Sequence, residues 1–330
     1  MFDVIKNRLA RRRQRLTVIL DVNEGYVRPE FVKALFRQLN DAGYCHRRAL
    51  KAKKPPDYYS ILENLFCFPD RLPVAALFAL ADDLAVENKY WICLDPVHFQ
   101  SAHRGLILEQ NLHPAINASE VEQLYQELSN HFAGEPVIVQ SSTENRWYVI
   151  CDEQADNQFH TLSAVYGKEV TSHLPEGQNS MYWRGFLNEC AMLLHQSSVN
   201  EAREREANTP INGVWLWGQG ALPSTRICRY DVLVSDSALI GGLARFTGAR
   251  WVKTPKELQE QMTDRTTSML WHHSFQTSQY AHENHCLQAI VSEFLEPLRR
   301  FLDRRNLNAE LLIPGLLRTK IYSRKPWYWI

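Results

Sequence analysis

Between residues 211 and 305, short apolar runs alternate with helical patterns, and this alternation narrows the fold more than any other feature of the chain. Gly213–Trp217, Asp231–Ser235, Arg250–Val252 and Met269–His272 read as strands. Ala238–Thr247, Pro255–Met262 and the long Ala281–Arg305 stretch, with Pro297 inside it, read as helices. Strand-then-helix order favours parallel strands, and a parallel sheet needs helices on both faces. Leu16–Asp21 (LTVILD) reads as one more buried strand, with Asp21 at its carboxyl tip. Pro29–Ala42, Tyr58–Phe68 and Leu72–Leu84 carry helical spacing, and Leu311–Leu317 reads as a last strand. The expected class is α/β with a parallel-sheet core.

Residues 90–165 break that rhythm. Tyr90–Leu94 reads as a strand running into Asp95-Pro96, 104–109 as a short strand, and Val137–Val139 with Arg146–Cys151 as a hairpin pair. Ser119–Phe132 reads as a helix with Ser119 as N-cap, Glu122 at the third position, and Val121, Leu124, Tyr125 and Leu128 as its apolar stripe. The chain therefore divides into an N-terminal part of the core (1–89), an inserted α/β subdomain (90–165) and a C-terminal part of the core (166–330). A length of 330 residues suits that division, at roughly 100–200 residues per domain.

Charge and hydropathy exclude several functions. Lys+Arg and Asp+Glu each total 37, so the chain lacks the cationic excess of a non-specific nucleic-acid coat. No segment reads as a helix-turn-helix with a basic recognition helix, so no specific nucleic acid is expected. No apolar run approaches the roughly 18–20 residues needed to span a bilayer. The N-terminus lacks the apolar region and cleavage site of a secretory signal. The seven cysteines are scattered, without a Cys-x-x-Cys, which reads as reduced thiols in a cytoplasmic protein. Arg11, Arg12, Arg13 and Arg15, together with the aromatic tail Trp327–Trp329, offer contacts to a partner or membrane surface.

Three groups of residues could carry chemistry. In Ile211–Pro223 (INGVWLWGQGALP) a strand delivers its end to Gly218-Gln219-Gly220, where a glycine turn can bring backbone N–H groups to an anion; Asn200 and Asn212 flank it. Asp95–Arg104 (DPVHFQSAHR) places His98 and Arg104 on a loop suited to a phosphorylated small molecule, because Arg forks onto phosphate oxygens. His272, His273, His282 and His285, beside Cys286, have metal-ligand character. Each group also has a plain structural reading: a tight turn, a Pro-initiated turn, and core or surface histidines. No Walker A, Gly-x-Ser-x-Gly or Rossmann fingerprint is present.

The run from His195 to Pro223 (HQSSVNEAREREANTPINGVWLWGQGALP) resembles the segment of archaeal-type, cofactor-independent phosphoglycerate mutases in which a His-Pro-Val-Asn-like turn precedes an Asn-x-Ile-Trp-Leu-Trp-Gly-x-Gly strand. Asp236–Arg250 (DSALIGGLARFTGAR) is similar to that family's glycine-bearing helix, and Met269–His282 to its strand and Asp-Glu-x-Gly-His motif. The resemblance covers roughly residues 180–300, more weakly from about 90, and implies an alkaline-phosphatase-like core. DPVHFQSAHRGLIL with WLWGQGALP is also similar to a bacterial group labelled regulatory proteins of the pathogenicity-factor E type.

The family's two divalent metals, held by Asp and His around a Ser nucleophile, are what the resemblance implies for an active member. Here His273 and His282 match, and Asp21 stands for the first metal-binding Asp. Ser278 and Gln279 replace the motif's Asp and Glu. Asn306–Ile330 has no His and a single acid, Glu310, and Asn23–Phe36 has neither Ser nor Thr. The expectation is a catalytically inactive relative with a binding or regulatory role and no cofactor, keeping a pocket for a phosphorylated metabolite at Asn200, Asn212, Gly218, Gln219, Gly220, His98 and Arg104. Two alternatives stand beside it. One is a phosphotransferase or hydrolase with a single metal held by Asp21, His273 and His282, with His272 and His285 as further ligands. The other is a pure interaction module with a protein partner.

Overall fold

A computed structural model describes residues 15–22, 57–86, 89–103, 105–108, 116–133, 137–143, 146–151, 157–227, 229–254, 257, 268–275, 288–305, 309–314 and 317–321. In chain order come β1 (Arg15–Val22), α1 (Tyr58–Phe66), α2 (Val74–Ala81), β2 (Tyr90–Val97), β3 (Phe99–Ala102) and β4 (Gly105–Leu108). Next are α3 (Ala118–His131), β5 (Val137–Thr143), β6 (Arg146–Cys151), β7 (Asn157–Gln158), β8 (Glu176–Gly177), α4 (Ser180–Gln196) and α5 (Ser198–Arg205). Then follow β9 (Gly213–Gly220), β10 (Val232–Val234), α6 (Ala238–Thr247), β11 (Arg250–Val252), β12 (Ser268–Phe275), α7 (Glu296–Arg305), β13 (Ala309–Ile313) and β14 (Leu317–Ile321). The chain forms two compact units. One joins Met1–Asp70 to Arg226–Ile330, and the other, Arg71–Thr225, is inserted between those stretches. The expected insertion at 90–165 lies inside the second unit, which also takes in 71–89 and 166–225.

The first unit is built on a sheet of order β11-β10-β12-β1-β13-β14. The pairings from β11 through β13 are parallel, and β14 returns antiparallel to β13. Leu16, Val18, Ile19 and Leu20 of β1 are all buried, as a central parallel strand covered on both faces requires. The expected single strand Leu311–Leu317 is instead the β13–β14 hairpin. Pro314 stands in its turn, where its missing N–H breaks no ladder bond. Pro297 lies where one continuous helical stretch changes from π winding over Ile290–Leu295 to α winding at Glu296, a break in the regular i→i−4 ladder.

The second unit holds an antiparallel sheet of order β5-β6-β2-β9. Its core gathers Ile92, Leu94, Trp147 and Val149 from the sheet with Leu124, Leu128, Phe186, Cys190 and Leu194 from α3 and α4. β9 does not continue the parallel sheet. It pairs antiparallel with β2, while α2 and α4 pack against it. Helical cover on an apolar strand produces the same sequence pattern in either orientation. Asp95-Pro96 does not begin a loop either, because both residues lie in β2. Pro96 sits beyond the last β6 pairing, Leu94 with Trp147, where one side of β2 needs no N–H. Asn200–Asn208 (NEAREREAN), whose charged sequence reads as a polar turn or a helix end, is mostly α5, with Asn200 and Arg203 buried. The architecture is thus an α/β core built on a parallel sheet, with an inserted α/β unit.

Candidate functional site

The carboxyl ends of neighbouring parallel strands are where open α/β sheets hold their ligands. In the first unit β1, β12 and β10 bring Asp21, His272 and Ser235 to that edge. Side chains alternate along a strand, and partners in register share a face. Asp21 is in register with Ser274, Leu20 with His273 and Ile19 with His272. Asp21 and His272 therefore lie on one face of the sheet, and His273 on the other. The ring contacts agree. His273 stacks on Phe294 with centroids 5.1 Å apart, while the ring of Tyr58, the first residue of α1, lies 5.3 Å from that of His272.

Beside the half-buried Asp21 carboxylate, the imidazole of His272 and the phenol oxygen of Tyr58 are enclosed. His272 is buried, and its Nδ1 lies 2.8 Å from the Ser235 hydroxyl, which also accepts the Ser237 N–H at 3.0 Å. Burial first, and then the charge of His273, push the His272 pKa down to about 3, so the imidazole is neutral. Its Nε2 is enclosed and has no hydrogen-bond partner among the described residues. The Tyr58 phenol is held well above the usual tyrosine range, first by burial and then by the Asp21 carboxylate. The Ser237 side chain faces this enclosed phenol and eases the shift. On the opposite face burial lowers the His273 pKa, while Asp236 and Glu293 pull it back. Among the described residues no group of three or more His, Cys, Asp or Glu side chains is placed to share an ion.

The expected ligand residues fall in the second unit and are largely occupied by the fold. Asn200 is buried; its amide donates to the Leu194 and Ile211 carbonyls, both at 2.7 Å, and its oxygen accepts the Ile211 N–H at 2.7 Å. Asn212 treats Phe99 the same way, accepting its N–H at 2.7 Å and donating to its carbonyl at 2.8 Å. His98 Nδ1–H donates to the Pro210 carbonyl at 2.9 Å, which leaves Nε2 as its other polar atom. Gln219 spends one N–H on the Asn157 carbonyl at 3.2 Å.

Gly218 and Gly220 do not form a turn after the strand; they end β9 itself. Three steps along β9, from Trp217 to Gly220, span two along β2, from Cys93 to Trp91. This bulge is taken up by Gly218 at φ +64°. A Cβ there would lie 3.0 Å from that of Val74, and one on Gly220 2.7 Å from that of Pro73. These glycines let α2 approach β9. Arg104, His282, His285 and Cys286 lie outside the described residues, as do Arg11–Arg13 and Trp327–Trp329.

The sequence reading passed over Tyr58 and Ser235. A serine directly after the apolar run DVLV was a usable signal, because that position is a strand end. Tyr58 gave none, since it reads as an ordinary first-turn aromatic.

The fold and this edge define an alkaline-phosphatase-like α/β protein. No protein-family profile matches the chain. It is 22% identical over 147 residues to a 2,3-bisphosphoglycerate-independent phosphoglycerate mutase of Methanosarcina acetivorans, covering 42% of this chain and 37% of that protein. It is 35% identical over 98 residues to one of Methanothrix thermoacetophila, covering 28% and 24%. These matches establish weak homology to archaeal-type cofactor-independent phosphoglycerate mutases. The matched stretches span well under two thirds of those relatives' own length. The structure of the PH0037 protein from Pyrococcus horikoshii shares the fold, with a TM-score of 0.57, 10% identity, and coverage of 94% of this chain and 87% of that one. No described helix is long and apolar enough to cross a membrane.

Proposed function

We propose that this chain is a catalytically inactive relative of phosphoglycerate mutases that works by binding, in a regulatory role in the cytoplasm. One observation carries the reading: Asp21 and His273, two of the three residues matching the family's metal set, lie on opposite faces of the sheet. Two-metal phosphoryl transfer needs both ions within one coordination sphere of the reacting phosphate, and side chains divided by a sheet do not supply that. The substitutions Ser278 and Gln279 point the same way, since each removes an anionic ligand.

The relatives' names suggest the ligand class, a phosphorylated small acid, for which His98 and Gln219 retain polar atoms. In this reading the role is one without turnover, exercised through a protein partner. A mutase and phosphatase assay of the full chain with Mn2+ and phosphoglycerate is expected to show no turnover above a His282→Ala control. Turnover well above that control overturns the reading.

A further inference from the structure

The metal pair implied by the family does not fit the residues at the strand ends. Asp21 and His273 are divided by the sheet. The nitrogen ligand on Asp21's own face would be His272, but its Nδ1 is held by Ser235 and its ring lies against Tyr58. An ion there would need Nε2, which is shut off from solvent. It would also have to sit beside an un-ionised phenol, a poor ligand for a hard dication, which prefers charged oxygens.

We propose that Tyr58 is a plug: its side chain, packed on His272 and beside Asp21, stands where an ion bound by those two residues would need room, and so keeps this edge free of divalent metal. The plug comes from α1, outside the parallel sheet, so it can be removed without changing a strand. Its phenol oxygen is enclosed, with the Ser237 side chain facing it. The inference rests on the preceding reading only in taking Asp21 as the counterpart of the family's first metal-binding Asp.

The test uses the full chain without a histidine tag, titrated calorimetrically with Mn2+ and separately with Zn2+. Its readout is the Asp21-dependent part of binding, the difference between each protein and the same protein carrying Asp21→Asn. Wild type and Tyr58→Phe, which keeps the ring, are expected to show none. Tyr58→Ala is expected to acquire one Asp21-dependent site, binding at least tenfold more tightly than any seen in wild type. If the alanine variant does not fold, Tyr58→Leu takes its place, with apolar cover kept and the phenol end cleared. Asp21-dependent binding by wild type overturns the proposal, and so does a folded Ala or Leu variant without it. Asp21-dependent metal bound by wild type with no mutase turnover would sink this inference alone. Turnover without Asp21-dependent metal would sink only the reading of inactivity.

Discussion

A buried amide is legible in a sequence as a residue but not as a role. Asn200 and Asn212 stand near a glycine-rich strand, and an amide there can serve a ligand or the backbone equally well. What decides is the distance along the chain to the groups it meets. Asn200 reaches Leu194 behind it and Ile211 eleven positions ahead, and only folding brings these together. Asn200→Ala leaves the Ile211 N–H and two carbonyls without this partner in a closed core, at a cost of roughly 2–4 kcal/mol. Urea unfolding is expected to show a lowered midpoint with an unchanged slope. A cost below about 0.5 kcal/mol, as for an ordinary surface substitution, would mean that the amide is not the clamp described. Asp95 shows the same limit. Asp-Pro after an apolar run suggests a turn, yet Trp217 Nε1–H donates to its carboxyl at 2.8 Å inside the sheet.

At the scale of elements, periodicity located most of the described strands and helices, and missed where patterns overlap. The start of α3 contains two interleaved capping signals, Asn117 with Glu120 and Ser119 with Glu122. The expected cap was Ser119; the observed one is Asn117, whose side chain accepts the Glu120 N–H while Glu120 bonds back to the Asn117 N–H, each at 2.9 Å. Tertiary structure breaks the tie. Buried Arg203 grips both Glu120 oxygens through Nη1 at 2.9 and 3.0 Å, an ion pair that sequence spacing cannot reveal. Asn117→Ala is expected to destabilise by about 1 kcal/mol, and Ser119→Ala by a few tenths at most. Thermal melting of the two variants checks the order, and the reverse order would restore Ser119 as the cap. Strand direction was the other illegible property. The apolar run of β9 showed burial, and burial does not say which way the neighbouring strand runs.

At the scale of the whole molecule, the two units bury titrating groups of opposite sense. Burial raises the Asp95 pKa from 3.8 to about 7, with the Trp217 hydrogen bond and Arg146 opposing it. Between these values the unfolded chain has released a proton that the folded unit keeps. Stability of the inserted unit is therefore full below about pH 4 and falls as pH rises to about 7, by roughly 4 kcal/mol in all. His272 runs the other way: its pKa drops from 6.5 to about 3. Below pH 6.5 the unfolded imidazole takes a proton that the folded core refuses, so the parallel-sheet unit loses stability as pH falls, by roughly 2 kcal/mol at pH 5. Hydrogen exchange at pH 5 and pH 8, corrected for intrinsic rates, is expected to show amides of Tyr90–Val97 and Gly213–Gly220 better protected at pH 5. Amides of Ser268–Phe275 are expected to be better protected at pH 8. Asp95→Asn, which keeps an acceptor for Trp217 and removes the titrating proton, should flatten the first trend and leave the second unchanged. Opposite trends require the units to open separately. Trends of one sign in both units, persisting in Asp95→Asn, would show that these two buried groups do not set the pH dependence.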